Sequence, residues 1–167
     1  MNIILIGMPG CGKSTVGVVL AKETGYAFLD TDLLIQKREG LLLQEIIDYK
    51  GLPSFLRIEE EVLLSVDCEN TVVATGGSAI YSEAAMAHLK SQGIVVYLNV
   101  PEKEIERRLR NLNSRGVAGA KDKTLSQLYA ERIPLYEQYA DFIIDCSEDD
   151  VSRTVDRIAQ RLQLAML

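Results

Sequence analysis

Eight residues, Gly7-Met8-Pro9-Gly10-Cys11-Gly12-Lys13-Ser14, fill every fixed position of the phosphate-loop pattern G-x-x-x-x-G-K-[ST], and Thr15 follows them. Glycines at 7, 10 and 12 let the backbone curl and aim several N–H groups at one anion. Lys13 adds a full positive charge, and the Ser14 hydroxyl is placed to ligate Mg²⁺. Asn2-Ile3-Ile4-Leu5-Ile6 before the loop has the length and apolar character of a buried strand. Val16, Val19 and Leu20 after it fall at helical spacing, so the loop ends at a helix N-terminus, whose partial positive charge favours phosphate. A glycine-rich turn arising by chance would need none of this context. The chemistry expected is the binding of a nucleoside triphosphate with Mg²⁺.

A second candidate group is Asp30-Thr31-Asp32, at the end of the short apolar run Tyr26-Ala27-Phe28-Leu29. Two carboxylates there point into the crevice where open α/β sheets bind ligands. The plainer reading is a helix cap by Thr31 or Asp32, but capping needs only one such residue. Thr71-Val72-Val73-Ala74-Thr75 reads as another strand, delivering Gly76-Gly77-Ser78, where backbone can approach a ligand closely; a simple strand-to-helix turn is the competing reading.

Strands are also expected at 94–98 and 141–145, and helices at 41–50, from Pro53 through Leu63, at 82–91, 102–110, 125–139 (interrupted at Pro134) and 151–162. Five short apolar strands alternating with helices imply a doubly wound α/β fold with a mostly parallel sheet. Arg107, Arg108 and Arg110 have a structural role available in i,i+4 pairs such as Glu104–Arg108 and Glu106–Arg110, and are not assigned to a ligand. Residues 111–123 are polar, contain Gly116 and Gly119 and carry Arg115, as an active-site lid would.

The totals narrow the class. A chain of 167 residues that is 47% hydrophobic and 25% charged is expected to form one domain with a sizeable core. No apolar run is long enough to span a bilayer, and a strand so close to Met1 leaves no room for a signal peptide. The formal charge of −6 argues against a nucleic-acid surface, so anionic ligands must be held by local basic groups. Three cysteines without metal-like spacing suit a reducing cytoplasm. Cys11 lies in the phosphate loop, as a tolerated small residue or an oxidation-sensitive thiol.

Taken together, the phosphate loop, Phe28-Leu29-Asp30-Thr31-Asp32, Phe55-Leu56-Arg57-Ile58-Glu59-Glu60, Ala74-Thr75-Gly76-Gly77, Arg115 and Glu131-Arg132-Ile133-Pro134-Leu135-Tyr136 resemble the shikimate kinases. These are relatives of the nucleoside monophosphate kinases, and the resemblance runs from Asn2 to about the last strand. It implies a three-layer P-loop kinase fold in one domain (1–167), with a five-stranded parallel sheet of order 2-3-1-4-5. It further implies a substrate-binding helical subdomain at about 32–65 and a lid at about 111–124.

The activity implied is ATP-dependent phosphorylation of a hydroxyl on a small carboxylate-bearing acceptor, leading to shikimate 3-phosphate, in a cytoplasmic monomer with neither nucleic-acid nor membrane partners. Residue by residue, Gly10, Cys11, Gly12, Lys13, Ser14 and Thr15 would bind the nucleotide, and Ser14 and Asp30 the metal. Lys13, Asp32 and Arg115 would be catalytic, with Asp32 as base toward the acceptor hydroxyl. Asp32, Arg57, Gly76, Gly77, Ser78 and Arg132 would face the acceptor, with Arg132 on its carboxylate.

Departures from the family pattern fall on the acceptor side and the lid. The family pattern G-E-x-x-F-R-x-x-E becomes Gly51-Leu52-Pro53-Ser54-Phe55-Leu56-Arg57-Ile58-Glu59, so Leu52 and Leu56 replace an acid and an arginine. Arg57 lies one residue along, about 100° around the helix. Ser78 stands for a glycine, Gln36 for an acid, and Arg115-Gly116-Val117-Ala118 for Arg-Pro-Leu-Leu. These changes keep two alternatives open: a related kinase for another hydroxy acid or polyol, and a nucleotide-binding regulator without turnover.

Overall fold

The computed structural model describes residues 1–110, 119, 122–147 and 150–165, with side chains up to 163. The chain begins with β1 (Asn2–Ile6), α1 (Lys13–Thr24), β2 (Ala27–Asp30), α2 (Thr31–Glu39), α3 (Leu43–Lys50) and α4 (Leu52–Leu64). It continues with β3 (Thr71–Ala74), a 3₁₀ turn (Ala79–Tyr81), α5 (Glu83–Gln92), β4 (Gly93–Asn99), α6 (Glu102–Arg110), α7 (Leu125–Tyr139), β5 (Phe142–Asp145) and α8 (Val151–Ala165). The strands form one sheet in the order β2-β3-β1-β4-β5, every pair parallel. Among the described residues no helix is long and apolar enough to cross a membrane.

Every residue of β1 is buried, as a central strand covered on both faces requires. β1 lies between β3 and β4, and the chain passes from β1 to β2 and β3 on one side before it crosses to β4 on the other, so the carboxyl end of β1 is the topological switch point where such sheets bind ligands. The turn that follows depends on backbone angles hostile to side chains: Gly10 has φ 78° and Gly12, at the N-cap of α1, has φ 95°. β3 is tied to the same end of β1 by Thr75, whose Oγ1 and N–H both donate to the Leu5 carbonyl, at 2.9 and 3.2 Å. That tie sets Gly76 and Gly77 beside the phosphate loop.

Two apolar cores divide the molecule. The larger fills the space around the sheet, and the smaller consists of Ile35, Ile46, Phe55, Ile58 and Val62, enclosed by α2, α3 and α4. On α4 the buried positions Phe55, Ile58, Glu59 and Val62 follow helical spacing, so Glu59 is carried inward on an otherwise apolar face.

Three expectations need correction. Asp30, not Thr31 or Asp32, caps α2, accepting from the Asp32 N–H at 2.9 Å. Pro134 does not interrupt α7, which runs unbroken for 15 residues. Proline there removes one backbone donor, a local cost outweighed by burial of Leu128, Arg132 and Tyr136 on successive turns. Gly93 belongs to β4, paired with Asn2, where a Cβ would meet the Asn2 carbonyl oxygen at 2.3 Å.

Gly17, inside α1, offers a test of this packing. Alanine is favoured there by helix propensity, worth about 0.5–1 kcal/mol. Its Cβ, however, would lie 2.7 Å from Phe28 Cε2 and 3.3 Å from Leu5 Cδ1. Overpacking of this kind costs about 1–3 kcal/mol and is the larger effect. Gly17→Ala is therefore expected to lower unfolding free energy in urea by about 1 kcal/mol, and to be neutral or stabilising in a Phe28→Leu background.

Candidate active site

A cavity of about 450 Å³ opens at the carboxyl ends of β1, β2 and β3, lined by the phosphate loop, Asp30, Asp32, Glu59, Gly76, Gly77, Ser78 and Arg132, among others. The sequence places these groups up to 123 positions apart (Pro9 to Arg132), and the sheet topology gathers them.

On the loop side, Lys13 is buried and its Nζ donates to the carbonyls of Gly7 and Met8 at 2.7 and 2.9 Å. Ser14 Oγ donates to Asp30 Oδ2 at 2.7 Å. The Asp30 carboxylate thus has two duties, capping α2 with Oδ1 and holding the Ser14 hydroxyl with Oδ2. Ser14 and Asp30 are hard oxygen donors of the kind Mg²⁺ takes together with phosphate oxygens and water, so the pair fits that ion. Among the described residues no cluster of three or more His, Cys, Asp or Glu could hold a metal ion. Cys11 is buried beside Lys13, Sγ lying 3.5 Å from Nζ, and packs as a core residue.

Arg108 is a residue that sequence reasoning left out. It pairs with Glu104 at 3.0 Å, as its i,i+4 spacing implies, but its Nη1 also donates to the Gly10 carbonyl at 3.2 Å. A basic side chain on the far side of the sheet order therefore reaches the phosphate loop. Helical spacing could reveal the first contact only.

On the acceptor side, Gly76 and Gly77 are required for closeness. A Cβ on Gly76 would sit 2.7 Å from Glu59 Oε2 and 2.8 Å from Asp32 Oδ1, and one on Gly77 would sit 2.7 Å from Pro9 Cδ and 3.1 Å from Arg132 Nη1. Tyr136 Oη donates to the Gly77 carbonyl at 2.6 Å, and its ring stacks on Tyr97 with centroids 5.1 Å apart. Arg132 is 1% exposed, and its Nε donates to Tyr81 Oη at 3.0 Å.

Arg57 is not brought into this cavity. Phe55 and Glu59, one turn apart, face it, while Arg57 is exposed and lines a neighbouring space of about 180 Å³ with Leu56, Glu59, Ser78 and Tyr81. Arg57 therefore stands beside the cavity and outside its described lining, with Glu59 and Ser78 shared between the two spaces. Arg115, assigned to the lid, lies outside the described residues.

Glu59 was visible as the last residue of a motif, but its state was not. Ser78 Oγ donates to Glu59 Oε1 at 2.6 Å, while Oε2 is buried without a hydrogen-bond partner. Burial is the main force raising its pKa to about 7; the Ser78 bond and the charges of Arg132 and Lys13 oppose the rise, and Asp32 adds to it. Between about pH 4.5 and 7 the folded chain therefore keeps a proton that an unfolded Glu59 has lost. The sign follows: this group's contribution to stability falls as pH rises through that window, by about 3 kcal/mol in total. Glu59→Gln is expected to remove this component, so that the Tm difference between mutant and parent grows in the mutant's favour from acid to neutral pH. A pH-independent difference would contradict the assignment.

With this geometry in place, comparison with known proteins is informative. A shikimate kinase of Paracidovorax citrulli is 38% identical, the alignment covering 99% of this chain and 93% of that protein. One from Nitrosomonas europaea is 40% identical over 97% of this chain and 78% of its own length. The solved structure of a shikimate kinase from Acinetobacter baumannii in complex with shikimate superposes with a TM-score of 0.86 at 33% identity, covering 99% of this chain and 94% of that one. The family model described as shikimate kinase matches residues 9–163, which takes in the phosphate loop from Pro9 onward, both aspartates, Glu59, the glycine turn and Arg132. The chain belongs to the shikimate kinase family.

Proposed function

We propose that this chain transfers the γ-phosphoryl group of ATP to a hydroxyl of shikimate, giving shikimate 3-phosphate and ADP. The observation that carries the reading is that one cavity holds the phosphate loop, Asp32 and the buried Arg132 together. Phosphoryl transfer asks little covalent chemistry of a protein. It needs the two oxygens in line, the phosphate charge neutralised and water kept out.

The roles divide by position. Loop N–H groups and Lys13 grip the phosphates, which requires the Lys13 ammonium to turn from the Gly7 and Met8 carbonyls or to share itself with them. Ser14 and Asp30 would hold Mg²⁺, whose charge, when bound, offsets that of the phosphate oxygens. Asp32 accepts the proton of the attacking hydroxyl, and Arg132 pairs with the acceptor carboxylate in the bidentate fashion that a planar guanidinium allows. Arg115 belongs here on family resemblance alone, as the lid arginine that meets the transferring group. The helical subdomain and lid, Mg²⁺, a cytoplasmic setting and a monomeric state form part of the same proposal.

A second reading rests on Leu52, Leu56 and Ser78: a family member whose acceptor pocket suits another hydroxy acid or polyol. ADP release measured with shikimate and then with a panel of such acceptors separates the two. Saturable turnover of shikimate at millimolar concentration or below is the expected result. Activity on another acceptor alone would overturn the first reading, and ATP binding without turnover on any acceptor would favour a regulator.

Leu56 sharpens the comparison. Glu59 and Ser78 line both the acceptor cavity and the 180 Å³ space beside Leu56, so an arginine at 56 has room at the edge of the acceptor site. A charge-assisted contact is worth about 1.5–3 kcal/mol. Leu56→Arg is expected to lower the KM for shikimate about tenfold or more at little change in kcat. An unchanged or higher KM would favour a pocket built for a different acceptor.

A further inference from the structure

Arg132 is the residue to which the proposed function gives the acceptor carboxylate, and a long side chain grips a carboxylate well only when its plane is fixed. Its surroundings contain a group that no family motif singled out. Tyr81, at the end of the 3₁₀ turn after Gly76-Gly77-Ser78, accepts from Arg132 Nε at 3.0 Å through Oη, and the guanidinium carbon lies 5.2 Å from the Tyr81 ring centroid. The opposite side of the guanidinium is turned to the acceptor cavity, for Nη1 lies 3.1 Å from where a Gly77 Cβ would stand. Tyr136 bonds the same guanidinium from one turn further along α7.

Tyr81 itself lies beside Glu131, whose carboxylate the hydrogen bond from Lys123 holds below its ordinary pKa. Lys123, Glu131 and Tyr81 line one space on the side of Tyr81 away from the acceptor cavity. Tyr81 also lines the 180 Å³ space, and a further one of about 270 Å³, together with Leu56, the position where the family pattern has arginine. A lone tyrosine on a surface turn is ordinarily a matter of packing. One that accepts from the inner nitrogen of a buried arginine at the acceptor site fixes the direction of that arginine's fork.

We infer that Tyr81 is a positioning residue for acceptor binding: it orients Arg132 so that the guanidinium presents its outer nitrogens to the acceptor carboxylate. The inference rests on the reading of Arg132 as the carboxylate-binding residue. Loss of the Tyr81 hydroxyl removes the acceptor of Arg132 Nε and with it one constraint on the plane of the guanidinium, which weakens acceptor binding and leaves the ATP side untouched.

Two measurements test it on the full chain. The first needs no acceptor: the ¹H–¹⁵N signal of Arg132 Nε, assigned with Arg132→Lys, should exchange with water at least severalfold faster in Tyr81→Phe than in the parent. The second compares steady-state kinetics with shikimate and with its neutral carboxamide. Tyr81→Phe should raise the KM for shikimate roughly five- to tenfold, by loss of a hydrogen bond to a charged group, while kcat and the KM for ATP stay within about twofold. The KM for the carboxamide should not change. Tyr81→Leu, which also removes the ring, should raise the shikimate KM further.

An equal loss for acid and amide, or an unchanged shikimate KM in Tyr81→Phe, would overturn the inference, leaving Tyr81 a packing residue. Unchanged Nε exchange would overturn it at the first step. If exchange quickens as expected but the parent turns over no shikimate, the proposed acceptor fails while the Tyr81–Arg132 coupling stands, and the KM comparison passes to whichever carboxylate acceptor the panel identifies.

Discussion

Three ionisable side chains, Lys13, Glu59 and Arg132, are 8%, 2% and 1% exposed around a single cavity, and keeping them there is the constraint on which the site depends. An isolated buried charge costs far more than a domain's whole margin of stability, so each must be neutralised or held by polar groups. Each is met differently. Lys13 is held by loop carbonyls, Arg132 by the hydroxyls of Tyr81 and Tyr136, and Glu59 by Ser78 with a displaced protonation equilibrium. The glycines at 76 and 77 then become necessary, because the space that a Cβ would occupy is already filled by the groups that hold and balance these charges.

Asp30 joins the two halves of this arrangement. By capping α2 it fixes where Asp32 begins its helix, and by accepting from Ser14 it fixes that helix against the phosphate loop. The local capping interaction and the functional one are carried by the two oxygens of one carboxylate. A cap alone would position Asp32 relative to α2 but leave its distance from the phosphates to the packing of distant surfaces. The second oxygen removes that freedom, and an in-line transfer depends on such distances within about half an ångström.

What was legible in the sequence was whatever a short stretch encodes. The phosphate loop and the strand-end aspartates reappear, since spacing and turn chemistry fix them within a few residues, and the strand order is the one that the family resemblance implied. The misses share a different origin. Pro134 reads as a break because propensity is local, whereas burial of three side chains along α7 is not. Arg57 was given to the acceptor by its place in a motif, while the structure sets it, exposed, on a space beside the acceptor cavity and not in that cavity's lining. Tyr81 meets Arg132 across 51 residues, and Arg108 meets Gly10 across 98, so neither contact leaves a periodic trace. Glu59 lies between: its place in a motif was plain, but its protonation is decided first by burial and then by Ser78, Asp32, Arg132 and Lys13, which four other segments supply.

The departures at 52, 56 and 78 are best understood through charge balance. An arginine at 56 would have given Glu59 a cationic neighbour, held it ionised and added to the positive side of the cavity. Leucine takes that charge away, and Ser78 supplies the carboxyl group with a neutral donor instead. A neutral donor does less than a guanidinium to stabilise a carboxylate, which is consistent with Glu59 sharing its proton near neutrality. One positive charge is lost from the wall, and up to one negative charge is lost with it. The cavity can then keep its attraction for an anionic acceptor with Arg132 as the arginine among its described lining residues, provided that arginine is well aimed. Substitutions that look like erosion of a motif one at a time are, taken as a set, a compensated change. They shift the demand from the number of cations to the orientation of one.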